Sequence, residues 1–137
     1  MRRCLSPVTR AALCVVVVAS YGPPRLLAAG RPDATASLAK ILLEFTHVTT
    51  VSQQATLQRI VEDAMTTRAE RIVATAVLHM EHIVSRDDRA TLGALIHDDA
   101  VPADVKTLAT ILRRLTHRPT EADRAQLRPL ALRVCPR

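Results

Sequence analysis

Aromatic side chains are nearly missing from this 137-residue chain, which holds one Tyr, one Phe and no Trp. With only Tyr21 and Phe45, an interior must be filled by Leu, Val, Ile and Ala, without the large burial that each aromatic ring brings. The same scarcity removes the stacking platforms on which single-stranded nucleic acid is bound. Glycine is equally rare at three residues. Past Gly30 only Gly93 remains, so a Gly-rich phosphate cradle is excluded. The chain has no nucleophile elbow, phosphate loop, Cys/His dyad or His-Glu-x-x-His pattern, and on these grounds no catalytic role is assigned. Of the three cysteines, Cys4 and Cys14 lie near the start and only Cys135 lies beyond residue 30. No internal disulfide framework follows from that count.

Long hydrophobic runs are lacking too. Arg2, Arg3 and Arg10 precede the apolar run Ala11–Ala19, which is too short for a spanning helix of about 20 residues but suits the hydrophobic region of a secretory signal peptide. Residues 1–30 are therefore expected to be a signal peptide and cleavage-region linker, with cleavage after Ser20 or after Ala29. An exported protein, periplasmic or secreted, follows, with no membrane span in the mature form; an uncleaved N-terminal anchor is the alternative. The formal charge of +6 is largely carried by this segment, since residues 31–137 hold 15 basic and 13 acidic side chains. Their distribution is uneven. Residues 31–103 carry seven basic and ten acidic side chains, and 104–137 carry eight and three. The basic residues near the end are interspersed with Leu and Ala, the pattern of a solvated face, and nucleic acid is not expected as a partner.

What the sequence does contain is a repeat. His47-Val-Thr-Thr, His82-Ile-Val-Ser and His117-Arg-Pro-Thr recur at intervals of 35 residues. Laid over one another without gaps, segments 32–66, 67–101 and 102–136 share four columns identical in all three copies. These are Ala39/Ala74/Ala109, His47/His82/His117, Ala55/Ala90/Ala125 and Leu57/Leu92/Leu127. The first and third copies agree at ten of 35 positions. Self-similarity at such a period is the signature of stacked repeats, so residues 31–137 are expected to form one helical repeat domain.

Each copy predicts two helices. Leu38, Ile41, Leu42 and Phe45 form the i, i+3, i+4, i+7 stripe of an amphipathic helix. Val73, Ala76, Val77 and Met80, then Leu108, Ile111, Leu112 and Leu115, repeat it. A second helix follows on Leu57, Ile60, Val61 and Ala64, with counterparts Leu92, Leu95 and Ile96, and Leu127, Leu130, Ala131 and Val134. Thr50, Ser85 and Thr120, each three residues before Gln53, Asp88 or Asp123, have the spacing of a capping box. Thr67 and Glu70 have it at the start of the middle first helix, where Pro32 and Pro102 stand in the other copies. Pro129 falls inside the last helix, where it is expected to kink or shorten it. The fold class expected is all-α: three helix-turn-helix units in a short α-solenoid or a compact six-helix bundle. The unit is close in length to a tetratricopeptide repeat, but that motif's large aromatic and Gly positions are missing, so the family and its peptide groove are not assigned.

The repeated His is the sharpest candidate for function. At the end of a helix it has a structural use, bonding free carbonyls and favouring the dipole. His47, His82 and His117, with Thr50, Ser85 and Thr120, then make three copies of one structural turn. For a metal, three equivalent histidines along a linear stack stand too far apart, because packed helices lie about 8–10 Å apart and Zn–N bonds are about 2.0–2.1 Å. His79 and His82 at i, i+3, with Glu44 and His47 in the matching columns, are the candidate ligands that remain. Cys135 shares a column with Met65 and Ala100 and is expected to be a small packing residue. The function expected is non-enzymatic, a protein-binding or structural module of the cell envelope with an unknown protein or envelope component as partner and no cofactor. A small metal- or cofactor-binding protein is the alternative.

Overall fold

The computed structural model describes residues 33–133. The expected signal segment and its two expected cleavage sites, Pro32, Val134 and Cys135 lie outside the described residues. Six helices and no strand fill the described part. The three that open a unit are α1 (Ala34–Glu44), α3 (Arg68–Leu78) and α5 (Ala103–Arg114); the three that close one are α2 (Val51–Glu62), α4 (Arg86–His97) and α6 (Glu121–Ala131).

The helices begin where side chains can satisfy the free N–H groups of a first turn. Thr50 and Thr120 make reciprocal capping boxes with Gln53 and Asp123, and Thr67 makes one with Glu70. Ser85 Oγ accepts from the Asp88 backbone N–H. Two starts differ from the expectation. Asp33 caps α1 by accepting from the Thr35 N–H at 3.1 Å. Pro102 stands one place earlier than expected, at the N-cap of α5, and makes no side-chain cap bond. Pro129 does fall inside α6, which runs only two residues beyond it.

Every position of the three first-helix stripes is buried, from Leu38 and Phe45 to Leu112 and Leu115. In the second helices Leu57, Ile60, Leu92, Leu95, Leu127 and Leu130 are buried, while Val61, Ile96 and Ala131 pack on the core from its margin. Ala64 departs from its expected stripe. The α2 helix ends at Glu62, and Ala64 stands exposed in the turn that follows.

Packing between helices decides between open stack and bundle. The first helices α1, α3 and α5 all touch one another. Around them α2 packs on α3, α4 on α5 and α6 back on α1, each more extensively than on the first helix of its own unit. The chain therefore closes on itself, with α1, α3 and α5 inside and α2, α4 and α6 outside. Ala39, Ala74 and Ala109 are fully buried on the inner helices. A methyl group at this column lets three helices approach without an intervening large side chain, and the aliphatic residues around it supply the burial that drives closure. Phe45, 1 % exposed, fills space beyond the end of α1.

Candidate functional site

The turn joining the two helices of each unit carries the repeated histidines, so the site is built from there. One contact recurs across all three turns with changing chemistry. Gln53 Nε2 donates to Glu44 Oε2 at 3.3 Å. At the matching positions His79 Nδ1 lies 3.5 Å from Asp88 Oδ2, and Arg114 donates to Asp123. In each unit the residue at the end of the first helix is tied to the third residue of the second helix, nine positions on. An amide and a guanidinium make hydrogen bonds in the first and third units, and in the middle unit the imidazole faces the carboxylate at 3.5 Å.

The third brace is the strongest electrostatically, because Asp123 is 3 % exposed and its acceptor oxygens are filled. Burial alone would push its carboxyl up. The Thr120 hydroxyl, the Arg114 guanidinium and the Thr120 backbone N–H outweigh burial and hold it below the usual carboxylate range. Hydrogen bonds to the charged form win over desolvation here. In the middle unit Asp88 takes the Ser85 hydroxyl at 2.6 Å as well as facing His79.

His47, His82 and His117 lie three to four residues beyond the last helical position, exposed on the outside of the turns. The helix C-caps are Phe45, His79 and Leu115, and among the described residues none of the three repeated imidazoles bonds a helix carbonyl. Ring closure brings two of them together instead. The His47 and His117 rings sit edge to face, their centroids 5.3 Å apart and their planes at 89°. The separation expected from a linear stack does not apply to a closed one, and sequence order hid this contact because the two residues belong to the first and last units. Of the candidate ligand set, Glu44 and His79 are each engaged in the brace of their own turn. Among the described residues no group of three or more His, Cys, Asp or Glu side chains is gathered that could hold a metal ion.

A second feature was invisible in the sequence. Two half-open grooves of about 400 and 490 Å³ repeat at the same 35-residue interval. The first lies between α1 and α2 on Ala34, Ser37, Thr56, Arg59, Ile60 and Asp63. The second lies between α3 and α4 on the matching residues Ala69, Ile72, Thr91, Ala94, Leu95 and Asp98, and extends over Val101 and Pro102. At the third equivalent place an ion pair between Arg133 and Asp104 spans α5 and the end of α6. Changing Ser37 and Arg59 to Ile72 and Ala94 makes the second groove the more apolar of the two.

No helix among the described residues is long and apolar enough to cross a membrane. No protein-family model, curated protein or solved structure matches the chain.

Proposed function

We propose that this is a non-enzymatic, exported helical-repeat protein, three 35-residue units closed into a ring, that offers its surface to a protein or structural component of the cell envelope. The Arg-flanked apolar run at the start of the sequence supports export. The groove between α3 and α4 is the observation that carries a binding role. The scaffold is common to all three units, whereas this groove is apolar and half-open at a place that an ion pair bridges in the third unit. Small clefts with an aliphatic floor and a polar rim suit an anchoring side chain of a protein partner. Among the described residues Val48, Val51, Met65, Ile83 and Leu132 are large apolar side chains that also stand exposed.

The test is in-cell photo-crosslinking with the reactive residue placed at Ala94, in the second groove, or at Gln126, which in the third unit occupies the place of the groove residue Thr91. A discrete crosslinked partner from position 94 and none from 126 is expected, with the mature N-terminus recovered outside the cytoplasm. Equal labelling from both positions would remove the groove from the proposal, and a cytoplasmic protein with an intact N-terminus would remove export.

A further inference from the structure

We infer that the groove between α3 and α4 takes an arginine or lysine side chain of a protein partner, its methylene stem on the aliphatic floor and its charged end at Asp98. The inference rests on the binding role proposed above and names the chemistry that fills the groove. The other two units supply the pattern, because each carries an arginine of its own at this place. In the first unit Arg59 lines the groove, donating to the Ala55 carbonyl and the Thr56 hydroxyl. In the third, Arg133 reaches across to Asp104. The matching residues of the middle unit are Ala94 for Arg59 and Asp98 for Arg133, with Ala69 standing where Asp104 does. There the chain leaves about 490 Å³ of space and a carboxylate in place of a guanidinium, so a cation from outside completes the pattern.

The charges on the lining favour this occupant. Asp98 caps the C-terminus of α4, where the last carbonyls already carry partial negative charge. Its Oδ1 accepts from the Ala100 N–H at 2.9 Å. Among the described residues Asp98 is in no ion pair, and Asp99 beside it is exposed. A single carboxylate on an apolar cleft is matched by a side chain that is apolar along its stem and charged only at its tip. Ile72, Leu95 and Val101 give that stem its floor. A purely aliphatic side chain would leave Asp98 without a counter-charge, and an acidic one would meet it with like charge. Arg68 lines the groove from the start of α3. It repels a second cation, so the fitting segment has one basic side chain among neutral or acidic neighbours rather than a basic run.

The experiment is NMR titration of the protein with three acetylated, amidated tripeptides, Ala-Arg-Ala, Ala-norleucine-Ala and Ala-Glu-Ala, reading the backbone amide signals of Ile72, Ala94, Leu95 and Val101. The arginine peptide is expected to shift these signals and to bind about two- to fivefold more tightly than either of the others, the range of an exposed ion pair. Asp98→Asn keeps an acceptor for the Ala100 N–H and removes that advantage, and added salt reduces it in the parent. Ala94→Arg builds the first unit's own arginine into the groove and lowers the binding of all three peptides. The amide spectrum itself reports that each variant is folded. Equal affinity for the norleucine peptide, or an advantage for arginine that survives Asp98→Asn, overturns the inference while leaving an apolar binding groove in place. A lack of shifts with every peptide at about 10 mM, enough to reveal millimolar contacts, overturns it as well; the binding role of the groove then stands or falls with crosslinking from position 94.

Discussion

Thr35 Oγ1 donates a 2.8 Å hydrogen bond to Glu70 Oε1, joining α1 to α3 through two buried residues that lie 35 positions apart, in the same column of the repeat. The other carboxylate oxygen accepts from the backbone N–H and the hydroxyl of Thr67. Val105 is buried at the third copy of this position. One site within the bundle is thus polar across two units and apolar in the third.

Removing both halves of that pair should cost less than the two single losses added together. Thr35→Val leaves a buried carboxylate oxygen short of a donor, a loss of about 1–3 kcal/mol. Glu70→Val also removes the carboxylate that accepts from the Thr67 N–H and hydroxyl, while Thr67 itself still caps α3, a further loss of about 1 kcal/mol. The double variant places three Val residues in the column and is expected to be less damaging than the sum of the singles, with a coupling of about 0.5–3 kcal/mol. Urea unfolding of the four proteins measures this directly, and strictly additive midpoints would show that the hydrogen bond contributes nothing of its own.

Two alanine columns are identical in all three copies, yet they should respond to enlargement in opposite ways. Ala74→Leu inserts three carbons where the inner helices meet and is expected to cost about 1–3 kcal/mol through overpacking. Ala90→Leu adds the same atoms to an exposed face of α4 and should fall within about 0.5 kcal/mol of the parent. Comparable losses in the two melting curves would contradict the placement of α1, α3 and α5 around the buried column.

Asp123 makes part of the stability depend on pH. Its carboxyl titrates below the ordinary range in the folded chain, so the unfolded chain binds the proton more readily. The resulting stabilisation is present above the unfolded value of about 3.9 and is lost as pH falls through the lower folded value. Asp123→Asn keeps a capping group but not the charge, and should cost about 1 kcal/mol at neutral pH, since Arg114 is half exposed and screened by water. The gap between parent and variant should then close below about pH 4. A gap that is constant from pH 7 to pH 3 would rule out the charge as its source.

The braces across the turns predict that His79 can be replaced by the residue found in the last unit. His79→Arg, facing Asp88, recreates the Arg114–Asp123 pair and should leave stability unchanged or raise it by up to about 1 kcal/mol. Thermal melting decides the matter. A clear loss would mean that the imidazole has work at that position beyond tying Asp88.

Most of the secondary structure was legible in the chain. The stripes of Leu, Ile and Val locate each helix because the 3.6-residue turn puts such positions on one face, and Thr50, Thr67 and Thr120 mark helix starts because a first turn leaves N–H groups free. The site was less legible. Glu44, His79 and Arg114 share a column but no chemistry, so their common partners nine residues on gave no pattern of residue types to recognise. The two grooves depend on which small side chains oppose one another after packing, which no periodicity records.

Sequence alone determined the period of 35 and the six helices, since both follow from local spacing, capping and the face each helix must bury. Only the tertiary structure decided that the chain closes, and closure changed the meaning of residues that the sequence made identical. Ala39, Ala74 and Ala109 are fully buried while Ala55, Ala90 and Ala125 are exposed. His47 touches His117 although 70 residues separate them. The physical reason is that local rules orient each helix face, whereas the partner of that face is chosen by burying the apolar surface of all six helices at once, with α6 completing the ring against α1.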